Sequence, residues 1–213
     1  MDRDIEVGGG VFCERKEMQE LVKLEQVTKE FEKRRIIEAV TCEIKKGEIW
    51  WIRGASGVGK TTFLRMLMGL EEVSFGKVGR KKDLRFSAVF QENRLLEWCD
   101  AVENVEFVAS DSIDREEIIE NLQKVLPKEC LFQPVSTLSG GMKRRVALVR
   151  AVIVDSDILV LDEPFTGLDE KAMRTAEEYI LGERRGRAIV MASHQGEEKI
   201  FSDIAYRVLE LRV

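Results

Sequence analysis

"GASGVGKTT", residues 54–62, sets three glycines, a lysine and two threonines in nine consecutive positions of a 213-residue chain. Gly54, Gly59, Lys60 and Thr61 satisfy the spacing G-x-x-x-x-G-K-[ST]. Glycines let a backbone curl closely around phosphate oxygens, with its N–H groups turned inward. The flanks agree with this. "IWWI" (49–52) is a fully apolar run that fits a strand buried on both faces. "KTTFLRMLMGL" (60–70) has helical spacing, with Phe63, Leu64, Leu67 and Met68 toward a core. A helix starting near Lys60 turns its positive dipole end toward the loop. The expected phosphate cradle is therefore Gly54, Ala55, Ser56, Gly57, Val58, Gly59, Lys60, Thr61 and Thr62. In it Lys60 reaches the β- and γ-phosphates, and the Thr61 hydroxyl is a ligand for Mg²⁺. Trp50 and Trp51 read as core filling, and Arg53 as paired with a nearby carboxylate.

Working outward, "LVKLEQVTKEF" (21–31) and "IIEAVTCEI" (36–44) read as strands, joined onward to "IWWI" by a turn at "KKGE" (45–48). "RFSAVF" (85–90) is a further strand. From about 93 the character changes. "AVENVEFVA" (101–109) and "DREEIIENLQKVL" (114–126) read as amphipathic helices, the second capped by Asp114. After them "GGMKRRVALVRAVIV" (140–154) is a helix, "DILVLD" (157–162) a buried strand, "EKAMRTAEEYIL" (170–181) a helix, and "RAIVMAS" (187–193) and "IAYRVLEL" (204–211) strands. Alternating strands and helices predict an α/β fold: a P-loop NTPase core with a mostly parallel sheet, N-terminal antiparallel strands and an inserted helical lobe over about 93–150. Residues 1–20 read as an N-terminal extension, and 21–213 as a single domain.

"ILVLDEP" (158–164) carries the second chemical signal. Four apolar residues place Asp162 at the end of a buried strand, where a carboxylate holds Mg²⁺ through water. Glu163, the next residue, is positioned to orient or deprotonate a water for in-line attack on a γ-phosphate. Lys and Arg total 34 against 39 Asp and Glu, a net charge of −5, which speaks against a nucleic-acid partner. No apolar run approaches the roughly 18 residues of a membrane span, and "MDRDIEVGGG" does not resemble a secretory signal. Cys13, Cys42, Cys99 and Cys130 form no C-x-x-C pair and read as free thiols of a reducing compartment.

"TLSGGMKRR" (137–145) adds a second glycine-rich helix start: Ser139, Gly140 and Gly141 make another anion-binding end in the same chain. A Leu-Ser-Gly-Gly loop shortly ahead of a D-E-P strand resembles the ATP-binding cassette (ABC) ATPases. The resemblance runs over about residues 21–211 in the family's order. It implies that ATP and Mg²⁺ are bound, and that the serine–diglycine loop faces the γ-phosphate held by an opposite subunit in a head-to-tail dimer. It further implies that Gln91 touches Mg²⁺ and the attacking water, and that Asp169 lies at the dimer seam. By the same resemblance His194 contacts the γ-phosphate and Phe31 stacks on adenine. Glu163, His194, Gln91 and Lys60 are thus the expected catalytic set, and Thr61, Gln91 and Asp162 the expected metal set. The chain departs from the family at Met142, where a glutamine is usual, and at Gln195, where an aspartate is usual.

One copy of each motif resembles a single nucleotide-binding domain that works with separate transmembrane permease subunits, peripheral on the cytoplasmic face of the cell membrane. "QENRLLEWCDAVENV" (91–105) is similar to the segment of small-solute importer ATPases that receives a coupling helix, with Glu97 in place of a proline. The expectation is a Mg-dependent ATPase driving import. An exporter or lipoprotein-release ATPase, a small-molecule P-loop kinase and a non-hydrolysing regulatory subunit are the alternatives.

Overall fold

The computed structural model describes residues 6–8, 18–32, 34–193 and 204–211. The fold divides into two compact units, one running to Phe86 with Ser156–Asp162 and the chain from Gly186, the other comprising Ser87–Asp155 and Glu163–Arg185.

The first unit is organised by β4 (Ile49–Arg53). Ile49, Trp50, Trp51 and Ile52 are all buried, so both faces of β4 are covered, and β4 lies between β8 (Ala188–Ala192) and β9 (Tyr206–Glu210), parallel to both. A parallel strand covered on both faces reads as an unbroken apolar run, which is how the sequence reads. Beyond β8 lies β7 (Ile158–Asp162), also parallel and wholly buried. Beyond β9 lies β1 (Glu6–Gly8), antiparallel, so part of the N-terminal extension pairs with the sheet. Five strands of the larger sheet thus lie in this unit in the order β1-β9-β4-β8-β7. The sixth strand, β6 (Phe86–Val89), carries the chain into the second unit. The tryptophans fill the core as expected. The Trp50 indole N–H donates to Glu48 Oε2 at 2.8 Å, and Arg207 pairs with Glu48 Oε1 at 2.9 Å and lies over the Trp50 ring. The register sets Arg53 opposite Glu210.

Helix α1 (Lys60–Met68) packs on β7 and β8. Its core face is Phe63, Leu64, Met66 and Leu67, while Met68, expected in the core, is only half-buried. Gly69 stops the helix one residue after Met68, in the left-handed conformation suited to a C-terminal cap. The small sheet has the order β3-β2-β5, with β2 (Glu20–Phe31), β3 (Arg34–Lys45) and β5 (Phe75–Arg80) antiparallel. Strands β2 and β3 match the sequence reading, whereas β5 was not anticipated there.

In the second unit α4 (Gly140–Ile153) packs against α2 (Ala101–Glu106), α3 (Arg115–Gln123) and α5 (Glu170–Gly182). The lobe expected over about 93–150 lies inside this unit. Asp114 caps α3 as expected, its carboxylate accepting from Glu117 N at 2.8 Å. Helix α2 is shorter than the apolar spacing of residues 101–109 predicts. It ends at Glu106, and Phe107 and Val108 are exposed rather than carried round onto a buried face. Among the described residues no helix is long and apolar enough to cross a membrane, and Cys42, Cys99 and Cys130 are free thiols.

Candidate functional site

In the first unit the loop 54–59 joins β4 to α1. Gly59 is the N-cap of α1 in the left-handed region, φ 105°, and a Cβ there would stand 2.6 Å from Ile36 Cγ2. Only glycine fits both the conformation and the space. The first amide groups of α1 have no intrahelical acceptor, and its first turn holds no acid to neutralise them. Lys60 is buried, and its ammonium donates to the carbonyls of Gly54 (2.9 Å) and Ala55 (3.1 Å), so its charge lies inside the curl of the loop.

Thr61 and Asp162 are 101 positions apart in the chain, yet the Thr61 hydroxyl donates to Asp162 Oδ2 at 2.7 Å. Asp162 is 2% exposed at the end of β7, and β7 and β4 flank β8. A hydroxyl oxygen and a carboxylate oxygen therefore converge beside the phosphate loop. This pair suits Mg²⁺, which takes one or two protein oxygens and fills its remaining positions from phosphates and water.

Phe31 is an exposed aromatic at the end of β2, paired with Arg34 across the turn into β3. The same hairpin supplies Ile36, which lies against Gly59. The Lys29 ammonium lies 4.6 Å from its centroid.

In the second unit Gln91, Ser139, Gly140, Gly141 and Asp169 line one pocket of about 560 Å³, together with Arg144. Ser139 caps α4, its hydroxyl oxygen accepting from Met142 N at 3.2 Å, and no acid occupies the first turn. Asp169 caps α5, accepting from Ala172 N at 2.8 Å. Gly141 packs against the loop between them: a Cβ would meet Gly167 O at 3.0 Å. Glu163 is half-buried and adopts a positive φ of 50°. His194 and Gln195 lie outside the described residues.

One residue of this unit escaped the sequence reading. Arg144 is 3% exposed, and its guanidinium donates to the carbonyls of Phe90, Glu163 and Pro164 and to Asn93 Oδ1. A signal was present: residues 144, 148, 151 and 152 are all buried at helical spacing on α4, so an arginine occupies the apolar stripe.

The sequence profile of the family described as ABC transporter matches residues 37–166. The aliphatic sulfonates import ATP-binding protein SsuB 2 of Pseudomonas syringae is 34% identical over 192 residues, covering 89% of this chain and 69% of that one. The spermidine/putrescine import ATP-binding protein PotA of Mycoplasma capricolum is 30% identical over 197 residues, covering 84% of this chain but 56% of its own length. The zinc import ATP-binding protein ZnuC of Vibrio cholerae is 31% identical over 176 residues, covering 82% and 67%. Among solved structures, a dimeric post-hydrolysis state of the ATP-binding cassette MJ0796 bound to ADP and Pi superposes with a TM-score of 0.76 at 26% identity, covering 90% of this chain and 94% of that one.

Proposed function

The chain belongs to the ABC transporter family, and we propose that it is the subunit that converts MgATP binding and hydrolysis into solute import through separate membrane permease subunits. The observation that carries this is the 2.7 Å bond from Thr61 to Asp162 beside the buried Lys60 ammonium. It assembles, from two distant parts of the chain, the oxygen pair and the cation that a magnesium–triphosphate requires.

The roles follow residue by residue. The loop 54–62 holds the phosphates. Lys60 leaves the carbonyls of Gly54 and Ala55 to meet the β- and γ-oxygens, exchanging two neutral acceptors for charged ones. Thr61 and Asp162, with Gln91, hold Mg²⁺. When bound, the metal neutralises charge on the phosphate oxygens. Glu163 orients and deprotonates the attacking water, and His194 contacts the γ-phosphate. Phe31 offers an exposed face to adenine. Ser139, Gly140 and Gly141 present the capped start of α4 to the nucleotide of a second copy, closing a head-to-tail dimer. The relatives are named import ATP-binding proteins, which supports import over export and is consistent with a chain that works peripherally, on the cytoplasmic face of the membrane. Their solutes differ, from sulfonates to polyamines to zinc, and none is assigned here.

Phosphate release by the purified chain without any acceptor substrate tests the reading and separates it from a kinase. Lys60→Ala lowers the rate by about 100-fold or more; an unchanged rate contradicts the site.

A further inference from the structure

Arg144 has no part in the roles above, yet its buried guanidinium donates to several chain segments of the second unit. Its Nε donates to Pro164 O at 3.1 Å, its Nη2 to Glu163 O at 2.6 Å, and its Nη1 to Phe90 O and to Asn93 Oδ1 at 3.1 Å. Nη1 also lies 3.4 Å from Gln91 O. One planar group therefore spans two loops, the one that carries Gln91 and the one that begins at Glu163. Glu163 is held at φ 50°, a conformation that residues with side chains rarely adopt. Its carbonyl accepts both from Arg144 and from Thr166 N at 3.2 Å. Such a conformation persists where its surroundings over-determine it, and here the guanidinium holds the carbonyls of the strained residue and of the next one. The neighbouring cation Arg150 repeats the arrangement a turn and a half along α4, donating to the carbonyls of Asn93 and Arg94 at 2.7 Å each. The Gln91–Arg94 segment is thus tied to α4 at two levels.

We propose that Arg144 is a positioning residue for hydrolysis: it clamps the Gln91 loop to the Glu163 turn, so that the glutamine and the carboxylate keep one fixed relation. This rests on the roles given above to Gln91 and Glu163. The roles given to the phosphate loop, Lys60 and Thr61 do not call on Arg144, so nucleotide affinity and turnover are expected to respond differently to its loss. A lysine cannot replace it fully, because an ammonium is a point donor, whereas the guanidinium fork serves several chain segments at once.

The test compares the parent with Arg144→Met, which keeps length without donors, and Arg144→Lys, which keeps the charge. Turnover and ATP affinity are measured below the melting temperature of the least stable variant. Arg144→Met lowers kcat on the order of 100-fold, as displacement of a reacting group by about 1 Å does. ATP affinity stays within about threefold, and Arg144→Lys falls between Met and the parent in kcat. A parent-like kcat in Arg144→Met overturns the proposal, as does an equal fall of kcat and affinity in both variants, which marks general damage to the fold. Should the methionine variant not fold, Arg144→Lys decides alone: a parent-like kcat overturns the proposal, and a lowered kcat with parent-like affinity supports it. Glu163→Gln in the otherwise unchanged chain is the control. If that variant hydrolyses at the parent rate, the reading of Glu163 itself has failed, whatever Arg144 does.

Discussion

At the scale of the residue, Asp162 shows how a single carboxylate is prepared for its task. It is 2% exposed, and a buried carboxylate must be satisfied. The Thr61 hydroxyl does this in part and at the same time sets a second oxygen beside the carboxylate, as the proposed Mg²⁺ site requires. Asp162→Asn keeps an oxygen able to accept from Thr61 but loses the charge that attracts a divalent cation. The expected result is a fold and a metal-free nucleotide affinity close to the parent's, with a markedly higher Mg²⁺ concentration needed for half-maximal turnover. A magnesium titration of phosphate release checks it; identical curves contradict the assignment. Asp162, Lys60 and Thr61 were legible in the sequence because each belongs to a short contiguous motif whose spacing is dictated by phosphate geometry. Arg144 was not read because its acceptors are mostly backbone carbonyls from loops about 20 and 50 positions away, and a carbonyl acceptor leaves no residue-type signature.

At the scale of the element, the sequence was most informative where burial imposes a period. Strands β7 and β8 are buried along their whole length and β4 everywhere but at Arg53, each reading as an apolar run, and α3 announced itself through its cap. Strand β5 passed unread because "FGKVGR" carries two glycines and an exposed phenylalanine, and the strand is held at the sheet edge by backbone pairing with β2 rather than by an apolar face. Helix ends in the second unit are tied by charge. Lys124, which caps α3 at its C-terminus, donates to Glu183, the cap of α5, at 2.7 Å. That hydrogen bond, with the nearby charges of Lys124 and Arg185, holds the Glu183 carboxyl below its ordinary value of 4.5. Because the folded value is depressed, the stabilisation is present above pH 4.5 and is lost as pH falls through the lower folded value. The Lys124 side chain is 47% exposed, so solvent screening limits the pair to about 0.5 kcal/mol. Glu183→Gln therefore costs about 0.5 kcal/mol at neutral pH, and the gap to the parent closes as pH falls below 4.5. Denaturant unfolding at several pH values measures this, and a gap independent of pH contradicts it.

At the scale of the whole molecule, the fold presents two glycine-rich helix starts with no acid in the first turn, at Lys60 and at Gly140, each suited to an anion. A single nucleotide bound at the first does not explain the second. The Gly140 start instead shares a pocket with Gln91 and Asp169, and Gly141 packs so closely on Gly167 that the start of α4 and the loop leading to α5 present one surface. On the function proposed above, a second copy would offer its own triphosphate to this surface; hydrolysis to ADP and inorganic phosphate, followed by departure of the phosphate, would then take the γ-phosphate charge from between the copies and release the pair. The most direct measurement is the mass of the Glu163→Gln variant by light scattering, with and without saturating MgATP. Binding without hydrolysis predicts a shift from the 24.4 kDa chain to twice that mass when MgATP is present, reversed when ATP is replaced by ADP. A variant that binds ATP yet stays at 24.4 kDa at every protein concentration contradicts the account.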